Sequence, residues 1–265
     1  MALSNLFLAA KQCLDASDPA AKVALTTTLY QAWQAGELTL TDDRQIQPMG
    51  PPGRPERPRL VAPRELPQRR LYTESGRAAL IHAVTHIEFN AINLALDAVY
   101  RFCSMPKSYY DDWLRIAFEE AHHFALLQER LDELGYSYGD FDAHDGLWEM
   151  TMVTAHDPLI RMALVPRVLE ARGLDVTPGM IQRLQQAGDN RTVAILQIIL
   201  REEVGHVEIG SRWFRYCCEQ ASLPVEETFL KLLRIYYQGR IRGPFNEAAR
   251  LAAGFTATEL ASLRE

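Results

Sequence analysis

The chain is poor in cysteine: Cys13, Cys103, Cys217 and Cys218 are the only four in 265 residues, and no two form a C-x-x-C pair. That spacing excludes a zinc ribbon and spells out no disulfide framework, so reduced, buried thiols are expected. Basic charge is not in excess either, since 28 Lys and Arg stand against 34 Asp and Glu, a formal net charge of -6. A general nucleic-acid or anionic-lipid binder needs the opposite balance, leaving room only for a local basic patch. The apolar run Leu6-Phe7-Leu8-Ala9-Ala10 is short, lacks a preceding positive charge and leads into Lys11-Gln12-Cys13-Leu14 rather than a cleavage site. A cytoplasmic protein with no membrane partner is expected. With 48% hydrophobic and 23% charged residues the composition is that of a globular protein, long enough for one large domain or two small ones.

Residues 5 to 35 read as one or two small helices, with Ser17 or Asp18 placed to cap a second that starts at Pro19. The character then changes. Between Arg44 and Arg70 lie seven of the 14 prolines, seven arginines and only two acids, Glu56 and Glu65. Such a stretch forms neither a helix nor a central strand. It reads as an extended arm of charge +5 over a remainder of -11, from -6 minus +5, which favours a strap against an acidic body over a polyanion-binding arm. The expected organisation is a helical segment over 1–43, the Pro/Arg-rich arm over 44–72, and a helical body over 73–265.

From Thr73 onward the periodicity is helical and no alternating strand of any length occurs. Long helices are expected over about 74–102 and 107–134, the second ended by Gly135. A region over 145–172 is expected to break at Asp157-Pro158, and Thr177-Pro178 to open a short helix. A long helix should follow Asp189-Asn190 to about Gln220, another should span Val225 to Tyr237, and one or two short ones should close the chain, the last opened by the capping box Thr256-x-x-Glu259.

What interrupts the apolar stripes of these helices is more informative than the stripes. In the first long helix Ile81, Val84, Ala91, Ile92 and Ala95 flank Glu88. In the second, Ile116 and Ala117 lead into Glu120 and His123, then Phe124 and Leu127. In the late long helix Leu196 and Ile199 lead into Glu203 and His206, then Gly210 and Trp213, and in the third Glu170 continues Leu159, Ala163 and Pro166. A lone carboxylate in a core costs several kcal/mol or titrates to its neutral form. Four such interruptions in four helices need a common cause. One Glu from each of two helices and a Glu-x-x-His from each of two others is the ligand set of a dinuclear metal centre in a four-helix bundle. The i, i+3 spacing puts carboxylate and imidazole on one face, and four carboxylates against two divalent cations leave no net buried charge.

A single Glu-x-x-His is ordinary, and a solvated Glu or a hydrogen-bonded core His explains one instance. Chance explains poorly the two copies Glu119-Glu120-Ala121-His122-His123 and Glu202-Glu203-Val204-Gly205-His206, each within strongly apolar helix. Glu119 and His122 form a rival register, but their neighbours Asp112, Arg115 and Arg130 are charged, and the matching late pair would be Glu202 with Gly205, which lacks a ligand. Glu119, His122, His86 and Glu202 are therefore candidates for supporting the ligands from behind, a weaker role also open to His82, His144 and His156.

These residues resemble a bacterial ferritin-like family catalogued as a domain of unknown function (number 455). The resemblance rests on Ala-Val-Thr-His-Ile-Glu at 83–88, Glu-Glu-Ala-His-His-Phe at 119–124, Leu-Glu-Ala-Arg-Gly-Leu-Asp at 169–175 and Glu-Glu-Val-Gly-His-Val at 202–207. Gly-Arg-Pro-Glu-Arg-Pro, His-Asp-Gly-Leu-Trp-Glu and Gly-Pro-Phe-Asn-Glu-Ala-Ala-Arg also fit it, and the coverage is about residues 50 to 255. Leu-Glu-Ala-Arg and Glu-Glu-Ala-His-His-Phe are more distantly similar to segments of the di-iron tRNA hydroxylases, which implies Glu170 as the third-helix ligand. The fold expected is thus all-α: a ferritin-like four-helix bundle with N-terminal helices, the arm and extra C-terminal helices.

The expected function is a carboxylate-bridged dinuclear metal oxidoreductase that activates O2 to hydroxylate or desaturate a small or nucleotide-borne substrate. Two metal ions are the expected cofactor, with iron first and manganese or zinc as alternatives. Ferroxidase chemistry for iron handling and a purely structural dimetal site are the competing readings. Substrate, electron donor and oligomeric state are not encoded in any motif, and nucleic acid is not an expected partner, with tRNA left open by the resemblance.

Overall fold

Helix after helix starts where an oxygen-bearing side chain can satisfy the first free N–H groups. In a computed structural model describing residues 5–40, 49–67, 70–237, 241 and 243–264, Asn5 caps α1 (Leu6–Asp15) and Asp18 caps α2 (Pro19–Gln34), with Pro19 in its first turn. Thr73 caps α3 (Glu74–Arg101), and α4 (Lys107–Glu133) follows Pro106 and is closed by Gly135 in the left-handed conformation at φ 74°. Then come α5 (Gly146–Val153) and α6 (Pro158–Leu164), the second capped by Asp157. A π-helical turn, Val165–Glu170, leads into α7 (Ala171–Gln186). Asp189 caps α8 (Asn190–Gln220), and α9 (Val225–Tyr237), α10 (Glu247–Ala252) and α11 (Ala257–Ser262) complete the order. The fold is all-α: among the described residues, extended pairing is limited to the isolated bridges Asn5–Thr39 and Leu60–Ala143.

The chain divides into two compact units, Met1–Trp148 and Glu149–Glu265. In the first, α3 and α4 lie antiparallel. The Tyr110 hydroxyl donates to the Phe102 carbonyl at 2.9 Å near their connection, and Phe89 meets Phe124 at 5.6 Å further along. Tyr30 of α2 stacks on Phe118 of α4 at 4.7 Å, and Phe7 of α1 meets the Tyr110 edge at 5.6 Å. Lys22, wholly buried, donates to the carbonyls of Cys13 and Leu14 at 2.9 Å each and so closes the C-terminus of α1.

The described part of the Pro/Arg-rich arm is extended apart from one short 3-10 turn, Pro63–Glu65. It crosses the end of α1 at Gly53, where a Cβ would lie 2.2 Å from the Asp15 carbonyl oxygen, so no other residue fits. Further on, the Val61 N–H donates to Ala143 O at 2.8 Å and the Ala143 N–H to Arg59 O at 3.0 Å. Arg59 pairs with Asp142 at 2.6 Å and Arg54 with Asp145 at 3.2 Å, so two of the arm's cations are taken by acids of the loop that follows α4. Arg44 and Arg69 lie outside the described residues.

In the second unit α8 packs antiparallel to the 165–186 segment. The closest approach is at Gly210, where a Cβ would come within 2.3 Å of the Pro166 side chain. Two features differ from the sequence reading. The expected break at Asp157 is present, but Pro166, which offers no N–H to the preceding turn, adds a second irregularity in the form of the π turn. Thr177-Pro178 opens no helix, because Pro178 lies inside α7. The carbonyl that Pro178 leaves without its helical donor, that of Leu174, accepts instead from the Asn246 side-chain amide at 3.2 Å.

Candidate metal centre

The pairing of α3 with α4 brings two carboxylates to one imidazole. His123 Nδ1 lies 3.2 Å from Glu120 Oε2 and 3.4 Å from Glu88 Oε2, and all three side chains are buried. Each offers a ligand atom, and these atoms lie within 4.8 Å of one another. The helical spacing of Glu120 and His123 puts them on the inner face of α4, while α3 supplies Glu88 from the middle of its own buried face.

Burial first, and the neighbouring Glu120 charge second, push the Glu88 carboxyl well above the usual carboxylate range. Burial pushes the His123 imidazole down, but hydrogen bonds and charge from Glu120 and Glu88 outweigh it and raise it to about 11. Without a cation, this cluster must therefore hold protons to stay buried. Two carboxylate oxygens and an imidazole nitrogen at this separation could hold a metal ion, which would take the place of those protons.

The rival register points elsewhere. His122 is exposed and Glu119 only half-buried, so the face of α4 that carries them is not the buried face that carries Glu120 and His123. His86 is buried, but its ring nitrogens engage the Tyr138 hydroxyl at 2.8 Å and the Asn90 amide at 3.0 Å. Burial pushes His86 down to about 4, so it stays neutral. Tyr138 escaped the sequence reading: its ring lies 5.3 Å from Phe124 and 5.5 Å from Phe89, next in sequence to His123 and Glu88. Only the turn signal of Gly135 and the aromatic character of Tyr136-Ser137-Tyr138 hinted at such a plug.

The second unit holds the matching pair. His206 is buried, its Nδ1 lies 3.6 Å from Glu203 Oε2, and the Glu203 side chain keeps 12% of its exposure. Glu170 ends the π turn and is half-buried. Four residues before it, Pro166 lies against Gly210 of α8, itself four residues after His206. Glu202 is half-buried and accepts from Arg201 at 3.1 Å.

Among the described residues no helix is long and apolar enough to cross a membrane. A family model described as a protein of unknown function (DUF455) matches residues 15–261. A Haemophilus influenzae protein entitled "Uncharacterized protein" is 46% identical over 257 residues, which cover 93% of this chain and 89% of that one. No solved structure matches. The match over nearly the whole length, with this relative, places the chain in the DUF455 family.

Proposed function

We propose that the protein is a carboxylate-bridged dinuclear metal oxidoreductase that activates O2, with iron as the metal. The observation that carries this reading is the buried trio Glu88, Glu120 and His123, which is costly as an apoprotein core and fitting as a cation site. The proposed centre is completed by Glu170, Glu203 and His206, whose Glu-x-x-His repeats the spacing of Glu120 and His123. Four carboxylates would balance two divalent cations, which makes the burial electrostatically tolerable. Such a ligand set is the one that a ferritin-like four-helix bundle carries.

Two redox-active ions, when bound, supply electrons and open coordination positions for O2. The rest falls to the protein. Glu88 and Glu120 orient one side of the centre through their shared approach to His123. Apolar Ala91, Ile92 and Phe124 exclude water from that side, and Ile199 does the same along α8. Such a dry wall suits holding a carbon near the metals, consistent with hydroxylation or desaturation of a small or nucleotide-borne substrate.

Stopped-flow mixing of anaerobically iron-loaded protein with O2 tests this reading. Oxidation faster than that of free Fe(II), abolished in Glu203→Ala and without growth of a mineral core, is the expected result. A mineral core would instead indicate iron storage. No acceleration, with Glu203→Ala behaving as wild type, would leave a structural metal site as the better account.

A further inference from the structure

Glu170 sits at the junction of the π turn and α7, the least regular place from which a metal ligand could project. Two buried ion pairs flank it. One turn before, Arg167 Nη2 donates to both carboxylate oxygens of Glu259 at 2.7 Å, with both side chains 1% exposed. One turn after, Asp175 accepts from Arg250 Nε at 3.0 Å and Nη2 at 2.7 Å, with both side chains fully buried.

Both partners come from the C-terminal segment, and both clamps meet at one ring. The Arg167 guanidinium lies 4.5 Å from the Phe255 centroid and that of Arg250 4.9 Å. Phe229, at 4.1 Å, and Phe214, at 5.0 Å, cover the rest of Arg167. The Glu259 carboxylate is itself held, since its Oε2 accepts from the Thr256 N–H at 2.9 Å in the capping box of α11. Asn246 adds a third tie, its N–H donating to Asp175 Oδ1 at 2.9 Å.

Burying two arginines is a poor way to gain stability, because desolvation offsets most of the attraction. It is an effective way to fix geometry, because a bidentate pair tolerates little displacement or rotation. The π turn contains Pro166, which offers no N–H to the preceding turn, and such a turn gains from external restraint to keep one shape. We infer that segment 246–259 is a clamp that sets the position of Glu170 for metal binding, with Arg167 and Glu259 as positioning residues. This inference rests on the dinuclear reading above and assigns the C-terminal helices a role in building the centre.

The double variant Arg167→Met with Glu259→Gln separates positioning from folding. Methionine fills the aromatic cage, and glutamine keeps the carbonyl that caps α11. The probe is anaerobic titration with Co(II), read by equilibrium dialysis and visible absorption, with circular dichroism and thermal unfolding on the same samples. Wild type is expected to bind two Co(II) per chain and Glu170→Ala one, which tests the underlying reading by itself. The double variant should keep its helical content and unfolding midpoint, yet bind the second Co(II) at least tenfold more weakly, with an altered absorption band. Two Co(II) at wild-type affinity and with the wild-type band would overturn the clamp while leaving the dinuclear reading intact. Should the double variant lose helical content, Glu259→Gln alone decides. It keeps a hydrogen bond to Arg167 and should weaken the second site several-fold, whereas unchanged affinity would overturn the clamp. A wild type that binds no Co(II) would remove both.

Discussion

Glu88 and Glu120 reach the same nitrogen from two different helices: Oε2 of each lies within 3.4 Å of His123 Nδ1. All three side chains are buried, so one imidazole meets two carboxylates within a core. The neighbouring register is half-exposed at Glu119 and exposed at His122. Glu120→Ala should therefore lose at least one of two bound metals, and Glu119→Ala should keep wild-type content. Metal analysis of the two variants after identical loading checks this, and the reverse result would move the ligand register by one residue.

Chelation should destabilise the protein. Without metal, Glu88 and Glu120 are left side by side at 3% and 0% exposure, and some of the trio must carry extra protons. For a chain of this size about 1 kcal/mol shifts the unfolding midpoint by roughly 2–4 °C, so several degrees are expected between metal-loaded and chelated samples. Equal midpoints in calorimetry would contradict the coupling of metal to fold.

Lys22 predicts a pH dependence unrelated to metal. Burial, partly offset by Cys13 and Asp15, pushes its ammonium from 10.5 down to about 8. The unfolded chain keeps this proton up to 10.5 while the folded chain releases it near 8, so between those values the unfolded state binds more protons and stability rises with pH. At about 1.4 kcal/mol per pK unit the gain is at most ~3.5 kcal/mol. Urea unfolding of wild type and Lys22→Met at pH 7.5 and 10 isolates it from other titrating groups. The difference between them should shift in favour of wild type at the higher pH, and a constant difference would show that Lys22 titrates normally.

Two glycines of α8 should respond in opposite directions to alanine. A Cβ at Gly205 meets nothing within 4 Å, so Gly205→Ala should stabilise the helix by up to about 1 kcal/mol. A Cβ at Gly210 would lie 2.3 Å from Pro166, so Gly210→Ala must push α8 off the π turn and should cost about 1–3 kcal/mol. Thermal unfolding of the two variants checks the pair, and a stabilising Gly210→Ala would contradict the close approach.

The helices were legible wherever their ends are marked locally. Asp18-Pro19, Asp157-Pro158, Asp189 and Thr256-x-x-Glu259 all cap as their side chains require. Pro178 misled because its remedy, the Asn246 amide on the Leu174 carbonyl, comes from 72 residues away. For the same reason the partners of Arg54, Arg59 and Arg167 could not be read: each pairs with an acid 83 to 92 positions distant. The trio was legible because a carboxylate in an apolar stripe is a local anomaly, and Glu88, Glu120 and His123 each interrupt one. Lys22 and Arg167 are anomalies of the same kind, charges amid Ala-Ala-Val-Ala and Val-Pro-Val-Leu, and their burial was equally open to inference.

The measurement that bears most directly on the central claim is the metal content of the protein purified from iron-replete cells, by elemental analysis, beside a Glu88→Ala/Glu120→Ala double variant. The account predicts two metal ions per chain in the wild type and at most one in the variant. Well under one metal per chain in the wild type, or a variant that holds as much metal as the wild type, would contradict it.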